Sequence, residues 1–200
     1  NEYYYCSVHG ELKEKNVLAI INIFGQSHLK YTYIMTDMLS YSLRKFDSLE
    51  ILKVGWVLVN KDDYYRIIYR ILETYELGKT KYLNTLEYLF KMYPEVTFII
   101  LDFKKDYNWI NKYYGDTMKD AKISILHWIC LYGDDAFMNM FLDAISIQTK
   151  PNQLQHLNKQ CIGSWFGCQI SMPPLPLAKH NEQINQKTIN RMRTMGAKEV

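Results

Sequence analysis

The 200-residue sequence has little of several residue types on which whole classes of protein depend. It contains four cysteines, nine glycines and five prolines. Four cysteines are too few for a disulfide scaffold in a chain of this length, so we expect a reduced, intracellular protein that resides in the cytoplasm. No apolar run reaches the roughly 18 residues that a transmembrane helix needs, which argues against a membrane-bound protein.

Net charge is small as well. Lys and Arg number 24 and Asp and Glu number 21, so the formal charge is +3. An excess this small argues against nucleic acid as a partner. What the chain does have is a hydrophobic fraction of 48% and 17 tyrosines. The hydrophobic fraction is enough to bury a core. The tyrosines supply amphipathic surface suited to interfaces, although AT-rich genomes also accumulate Tyr.

The most informative stretch is 124–144, which reads SILHWICLYGDDAFMNMFLDA. The pair Leu126-His127 is followed by Gly133, seven residues after the leucine, and then by a second apolar run. This spacing predicts a short helix, a tight turn at the glycine and a second short helix. Asp134 or Asp135 is placed to cap that second helix.

These features resemble the central part of an ankyrin repeat, whose signature combines a Leu-His pair, a turn glycine and a Leu-rich second helix. The resemblance implies that His127 has a structural role, in which it hydrogen-bonds backbone and braces adjacent units. It also implies a scaffold that binds another protein, whose identity the sequence does not give. We therefore assign no catalytic residues.

The offset of seven residues from an apolar position to a turn occurs four times along the chain. The pairs are Leu18 and Gly25, Trp56 and Asp63, Leu86 and Tyr93, and Leu126 and Gly133. The units are 38, 30 and 40 residues apart, against about 33 in ankyrin arrays. We predict a mainly α fold, a degenerate ankyrin-like helical repeat array of the kind found in viral and protist proteins.

The predicted organisation has three parts. Residues 1–16 form an N-terminal segment, residues 17–147 form the helical repeat-like domain, and residues 148–200 form an irregular C-terminal segment and tail. The last assignment rests on the loss of apolar pattern after Ile147, the proline-rich break at 173–176 and the polar sequence of 179–200, which shows no face that could pack.

Short runs rich in Ile and Val support a rival fold, an α/β three-layer sandwich. They are 17–24, 49–59, 96–103 and 123–131, and periodicity alone cannot distinguish such runs from buried strands. In that fold the loop from Gly25 to His28 would follow the first strand and form the ligand site of an enzyme or binding domain. The chain has no complete glycine-rich nucleotide motif to support this.

The third hypothesis concerns a metal. Cys6 and His9 form a C-x2-H pair, and Cys161 and Cys168 could complete a tetrahedral Zn²⁺ site, because thiolate and imidazole are its preferred ligands. Zinc is the one cofactor that the sequence suggests. If it is bound, the protein would be a zinc-stabilised structural subunit of a larger assembly.

Overall fold

The computed structural model describes residues 13–26, 32–76, 83–102, 121–165 and 168–199. These residues are mainly helical, as predicted, with ten α-helices and four short strands. The chain divides into two compact units, Asn1–Tyr88 and Leu89–Val200. The division falls within the predicted repeat domain 17–147.

Helices alone make up the described part of the first unit. They are α1 Glu14–Gln26, α2 Thr32–Phe46, α3 Leu49–Trp56, α4 Tyr64–Glu76, which follows a 3₁₀ helix at Lys61–Asp63, and the first part of α5 Leu83–Met92. The first helix packs on the third and the second on the fourth, while α2 also contacts α1 and α3. Each helix of the first pair therefore packs on its counterpart in the second pair.

Two residues shape the region where these helices meet. At Gly55 in α3, an added Cβ would lie 2.8 Å from Leu39 Cδ1 and 3.5 Å from Ile21 Cδ1, so the missing side chain lets three helices approach closely. Asp47 links α2 to α3 with a φ of 47°. Its carboxylate accepts hydrogen bonds from the Thr85 amide, at 3.2 Å, and from the Thr85 hydroxyl. Asp47 therefore caps the start of α5 from a distant loop.

The second unit mixes helices with a sheet. After α5 come a 3₁₀ helix at Pro94–Phe98, β1 Ile100–Asp102, β2 Lys122–Ser124, α6 Ile125–Tyr132, α7 Asp135–Ser146, α8 Lys150–Asn158, β3 Cys161–Trp165, β4 Cys168–Met172, α9 Pro174–His180 and α10 Gln186–Met195. The strands form one antiparallel sheet in the order β1-β2-β3-β4.

Each antiparallel strand pair in this unit leads directly into a pair of helices. Strand β2 ends at Ser124, the N-cap of α6, and β4 ends at Met172, two residues before α9. Helix α9 packs on α6, α10 packs on α7, and β2 pairs with β3. The unit therefore contains two hairpin–helix–helix modules side by side. The first comprises β1, β2, α6 and α7, and the second β3, β4, α9 and α10.

The rival α/β sandwich is wrong. The runs 17–24 and 49–59 lie largely in α1 and α3, and 123–131 is mostly α6. Only short parts of 96–103 and 123–131 become strands, and these pair antiparallel. In the first run the fully buried residues are Val17 and Ile21, four apart, and the three residues between them are exposed or half-buried. That spacing is typical of a helix with one buried face. The rival fold had interpreted the same apolar run as a strand buried on both faces.

The four-unit array is also wrong in its third unit and at its end. Residues 96–102 form part of a 3₁₀ helix and β1 rather than a second helix. The predicted irregular segment 148–200 contains three helices and two strands in its described residues. Helix α10 buries only Thr188, Ile189 and Met192. Because so few of its residues are apolar, the sequence showed no apolar face at helical spacing.

The buried face of α10 leads to a prediction that reverses the expectation of a dispensable tail. Met192 is fully buried, so Met192→Ala should lower the free energy of unfolding by about 2–5 kcal/mol. A chain ending at Lys179, which lacks α10 entirely, should lose more. The exposed Lys187→Ala in the same helix is the matched control and should be near neutral. Urea unfolding measures all three, and parent-like stability of the shortened chain would contradict this packing.

Candidate functional site

The best-defined polar site is the buried ring of His127, and local sequence places it. Ser124 ends β2 and caps α6, with its hydroxyl oxygen accepting a 3.3 Å hydrogen bond from the His127 amide. This cap brings the imidazole beside the same hydroxyl, with Nδ1 2.7 Å from Ser124 Oγ. The other ring nitrogen, Nε2, lies 3.0 Å from the carbonyl oxygen of Met172 at the end of β4.

These partners fix the protonation state of the ring. A carbonyl oxygen can only accept, so Nε2 carries the proton and donates to Met172, while Nδ1 accepts from the Ser124 hydroxyl. Burial lowers the pKa of the His127 imidazole to about 4, against the hydrogen bonds to the Met172 and Lys159 backbones, which raise it; the positive charge of Lys159 acts in the same direction as burial. The ring is therefore neutral at pH 7, with Nδ1 bonded inside its own hairpin–helix–helix module and Nε2 bonded to the other module.

The turn between α6 and α7 is held from the second module. Gly133 ends α6, and its amide donates to the Ile129 carbonyl at 2.8 Å. The Asn181 side chain, between α9 and α10, donates to the carbonyls of Cys130 and Gly133 at 3.1 and 2.8 Å. Asp134 caps α7 by accepting from an amide of its first turn at 2.9 Å, which confirms the predicted cap.

A further polar network ties α7 to α10. The Asn139 side-chain amide donates to the Thr188 hydroxyl at 2.8 Å. Arg191 donates to Asn139 Oδ1 at 3.0 Å and forms an ion pair with Asp143 at 2.5 Å. The contacts fix the rotation of α10 about its axis, and each of them lies within the second unit.

The second buried histidine sits in the core of the same unit. His156 Nε2 lies 3.1 Å from Thr97 Oγ1 and 3.3 Å from Gln148 Oε1, and its ring lies against Phe98 and Phe141. Burial lowers the pKa of this imidazole to about 4. Because the Thr97 hydroxyl donates to the Pro94 carbonyl, it accepts from His156. This histidine too is a structural donor.

The cysteines of the zinc hypothesis lie apart. Cys161 pairs with Met172 across the β3–β4 hairpin, and Cys168 pairs with Trp165. Four residues of strand, about 13 Å, separate the two positions. Thiolates that share a Zn²⁺ ion lie within about 4 Å of each other, because each Zn–S bond is about 2.3 Å long. The two cysteines therefore cannot share a site.

The remaining observations on metals agree with that separation. In the described residues no group of three or more His, Cys, Asp or Glu side chains is placed to hold a metal ion. Burial raises the thiol pKa of Cys130 and of Cys161, which disfavours the thiolate that a metal requires. Cys6 and His9 lie outside the described residues.

The structure also locates the other residues singled out from the sequence. Leu126 is fully buried in α6, and Leu18 is half-buried in α1. Gly25 lies within α1, one residue before its end, so it is not a turn residue, and the ligand loop proposed after a first strand has no strand to follow. His28 lies outside the described residues.

Exposed apolar side chains are a feature that the sequence analysis missed. Ile23 near the end of α1 is 66% exposed, and Val57 directly after α3 is 70% exposed. Ile23 belongs to the apolar run 17–24 and Val57 to the run 49–59, and both runs were expected to be buried. A helical wheel would have found Ile23, since it lies two residues, about 200°, from the buried Ile21.

Comparison with models of protein families, with characterised proteins and with solved structures finds no match to this chain. None of the helices in the described residues is both long and apolar enough to cross a bilayer. The site must therefore be interpreted from its own geometry.

Gly133 generates one prediction. Its φ is −82°, a value open to any residue, so backbone conformation does not require glycine there. The constraint is space instead, because an added Cβ would lie 2.7 Å from the Ile129 carbonyl oxygen. Gly133→Ala should cost about 1–3 kcal/mol of stability. Gly55→Ala is the comparison and should cost less stability. The added methyl at Gly55 meets a side-chain methyl group of Leu39, which can move, and alanine favours the helix by about 1 kcal/mol over glycine, which offsets part of the loss. Equal losses in urea unfolding would contradict this assignment.

The buried imidazoles generate a second prediction. An unfolded His has a pKa near 6.5 and His127 in the folded protein about 4. The folded state therefore resists protonation. Its stability is complete above pH 6.5 and falls as the pH drops towards 4, by on the order of 3 kcal/mol for this ring.

The test of that pH dependence uses His127→Gln, which keeps a donor for the Met172 carbonyl but does not titrate. We expect the variant to lose less stability than the parent between pH 7 and about pH 4.5 in urea titrations. His180→Gln makes the same substitution at an exposed position and is the control for the chemical change itself. An unchanged slope in His127→Gln would contradict the buried neutral ring.

Proposed function

We propose that this protein is a non-catalytic module that binds another protein on a degenerate ankyrin-like scaffold. One observation carries the proposal. In the second unit, two hairpin–helix–helix modules lie side by side, and the His127 ring of the first hydrogen-bonds the Met172 carbonyl at the entrance to the second. This supports the structural role that the resemblance gives to the histidine of the Leu-His pair.

Local geometry at the start of the first module supports the same interpretation. Ser124, Leu126 and His127 place a capping hydroxyl, a fully buried leucine and a buried imidazole in the first turn of α6. Helix then stacks on helix in the order expected of repeats, α9 on α6 and α10 on α7. In the first unit α1 and α2 stack on α3 and α4 in the same way.

The departures from a regular array explain why the repeat is degenerate. Helix α8, Lys150–Asn158, is inserted between the two modules of the second unit. The unit expected at Leu86 has α5 as its first helix but a 3₁₀ helix and a strand where the second should be. The repeats that remain are pairs of modules rather than a continuous series of four.

The titratable groups described above favour binding over catalysis. Both buried histidines have acceptors at Nε2 and depressed pKa values, and the Cys130 and Cys161 thiols are buried with raised pKa values. Each of these groups stabilises the fold in a form unsuited to general-base or nucleophilic chemistry at neutral pH. They serve as structural groups of a scaffold.

We place a partner contact in the first unit at Ile23 and Val57. Each follows by two residues a position in the close contact between Ile21 and Gly55. Both are more than 60% exposed. Large exposed apolar side chains are the groups through which protein-binding surfaces gain most of their contact energy.

The test is selection from a displayed library of natural protein segments against the immobilised protein. Clones retained by the parent should bind the double variant Ile23→Glu/Val57→Glu at least about tenfold more weakly, since charges replace apolar contacts. Ile147→Glu, at a position that is also 70% exposed but in the second unit, is the matched control. Binding that survives the double variant, or is lost equally in the control, would refute this surface.

A further inference from the structure

Strand β4 forms one edge of the sheet in the second unit. Its five residues, Cys168–Met172, pair with β3, and no other strand in the described part of the chain pairs with them. Natural edge strands usually carry charges, prolines or bulges that prevent further pairing. The sequence CQISM has neither charge nor proline, and its register with β3 is continuous.

The register decides which backbone groups point away from β3. Trp165 and Cys168 flank a two-residue connection and so exchange both of their hydrogen bonds. Hydrogen-bonded and non-hydrogen-bonded pairs alternate from there, so Ile170 and Met172 also direct their amide and carbonyl groups towards β3. The N–H and C=O groups of Gln169 and Ser171 therefore face outward. Ser171 is also exposed at its side chain.

The outward backbone groups of Gln169 and Ser171, with Ile170 between them, allow the edge of β4 to pair with an identical edge. If a second β4 strand lies antiparallel with its Ile170 opposite the first Ile170, each Gln169 faces the Ser171 of the other copy. Every outward N–H then meets an outward C=O, and none is left over. A two-fold axis through the centre of the strand generates this arrangement, as an isologous dimer requires.

We propose that β4 pairs antiparallel with β4 of a second copy of this chain, with Ile170 on the two-fold axis, to give one continuous eight-stranded sheet. No like charges oppose each other across this contact, because β4 has none. The inference is independent of the binding surface at Ile23 and Val57, which lies in the first unit. A main-chain contact of this size gives a weak, concentration-dependent dimer.

Proline substitution at Ser171 tests the pairing. Ser171→Pro removes an outward amide and leaves the bonds between β3 and β4 in place, because Ser171 and Ile162 form a non-hydrogen-bonded pair. Ser171→Ala is the matched control, since it loses the same hydroxyl contact to Gln160 but keeps the amide. Circular dichroism establishes that both variants are folded.

Sedimentation equilibrium of the purified protein at submillimolar concentration gives the result. We expect the parent and Ser171→Ala to dimerise and Ser171→Pro to associate about tenfold or more weakly, because two hydrogen bonds are lost per dimer. A monomeric parent would overturn the proposal. So would a Ser171→Pro variant that dimerises as the parent does, since the contact would then lie elsewhere.

Amide hydrogen exchange provides a second measurement that needs no variant. In the dimer the Gln169 and Ser171 amides are hydrogen-bonded, so their exchange should slow as protein concentration rises. The Ile170 amide, already bonded to β3, should respond less. If the Gln169 and Ser171 amides exchange at the same rate across the concentration range, the proposed register is refuted, whatever the oligomeric state.

Discussion

The neutral, buried imidazole of His127 is the interaction on which the second unit depends. It needs a donor for the Met172 carbonyl and an acceptor for the Ser124 hydroxyl at the same time. A neutral imidazole supplies one of each in a fixed plane, whereas lysine and arginine supply donors only. Full burial keeps it neutral. The protonation state of this one side chain therefore determines the bond at the end of the second hairpin, and the Asn181 and Asn139–Arg191 contacts hold the helices that follow.

Local signals made the two helices of the first module predictable, although not its two strands. The N-cap at Ser124, the glycine at 133 and the cap at Asp134 lie within ten residues of one another, and each acts on its neighbours, so sequence alone gave both helices. The hydrogen-bond acceptor of His127 Nε2 could not be predicted from the sequence. Met172 lies 45 residues away and contributes a backbone carbonyl, which every residue type has. The resemblance to ankyrin repeats assigned the kind of bond but not the acceptor.

Other errors have equally specific causes. The segment 148–200 was predicted to be irregular because α10 is fixed by three buried side chains and a network of polar ones, so the hydrophobic pattern was weak. Cys161 and Cys168 looked like a metal pair because they are close in sequence. In the β3–β4 hairpin Cys161 lies at the open end and Cys168 lies beside the turn, so the two residues are a strand's length apart. Apolar runs such as 17–24 were ambiguous until the i, i+4 spacing of their buried residues was known.

The state of the His127 ring tests this account most directly. Long-range ¹H–¹⁵N correlation spectra of the imidazole distinguish the two neutral tautomers and the cation. The account predicts the Nε2–H tautomer at pH 7, with no titration until the pH approaches about 4. An Nδ1–H tautomer, or a titration midpoint near 6.5 as in an unfolded chain, would contradict it.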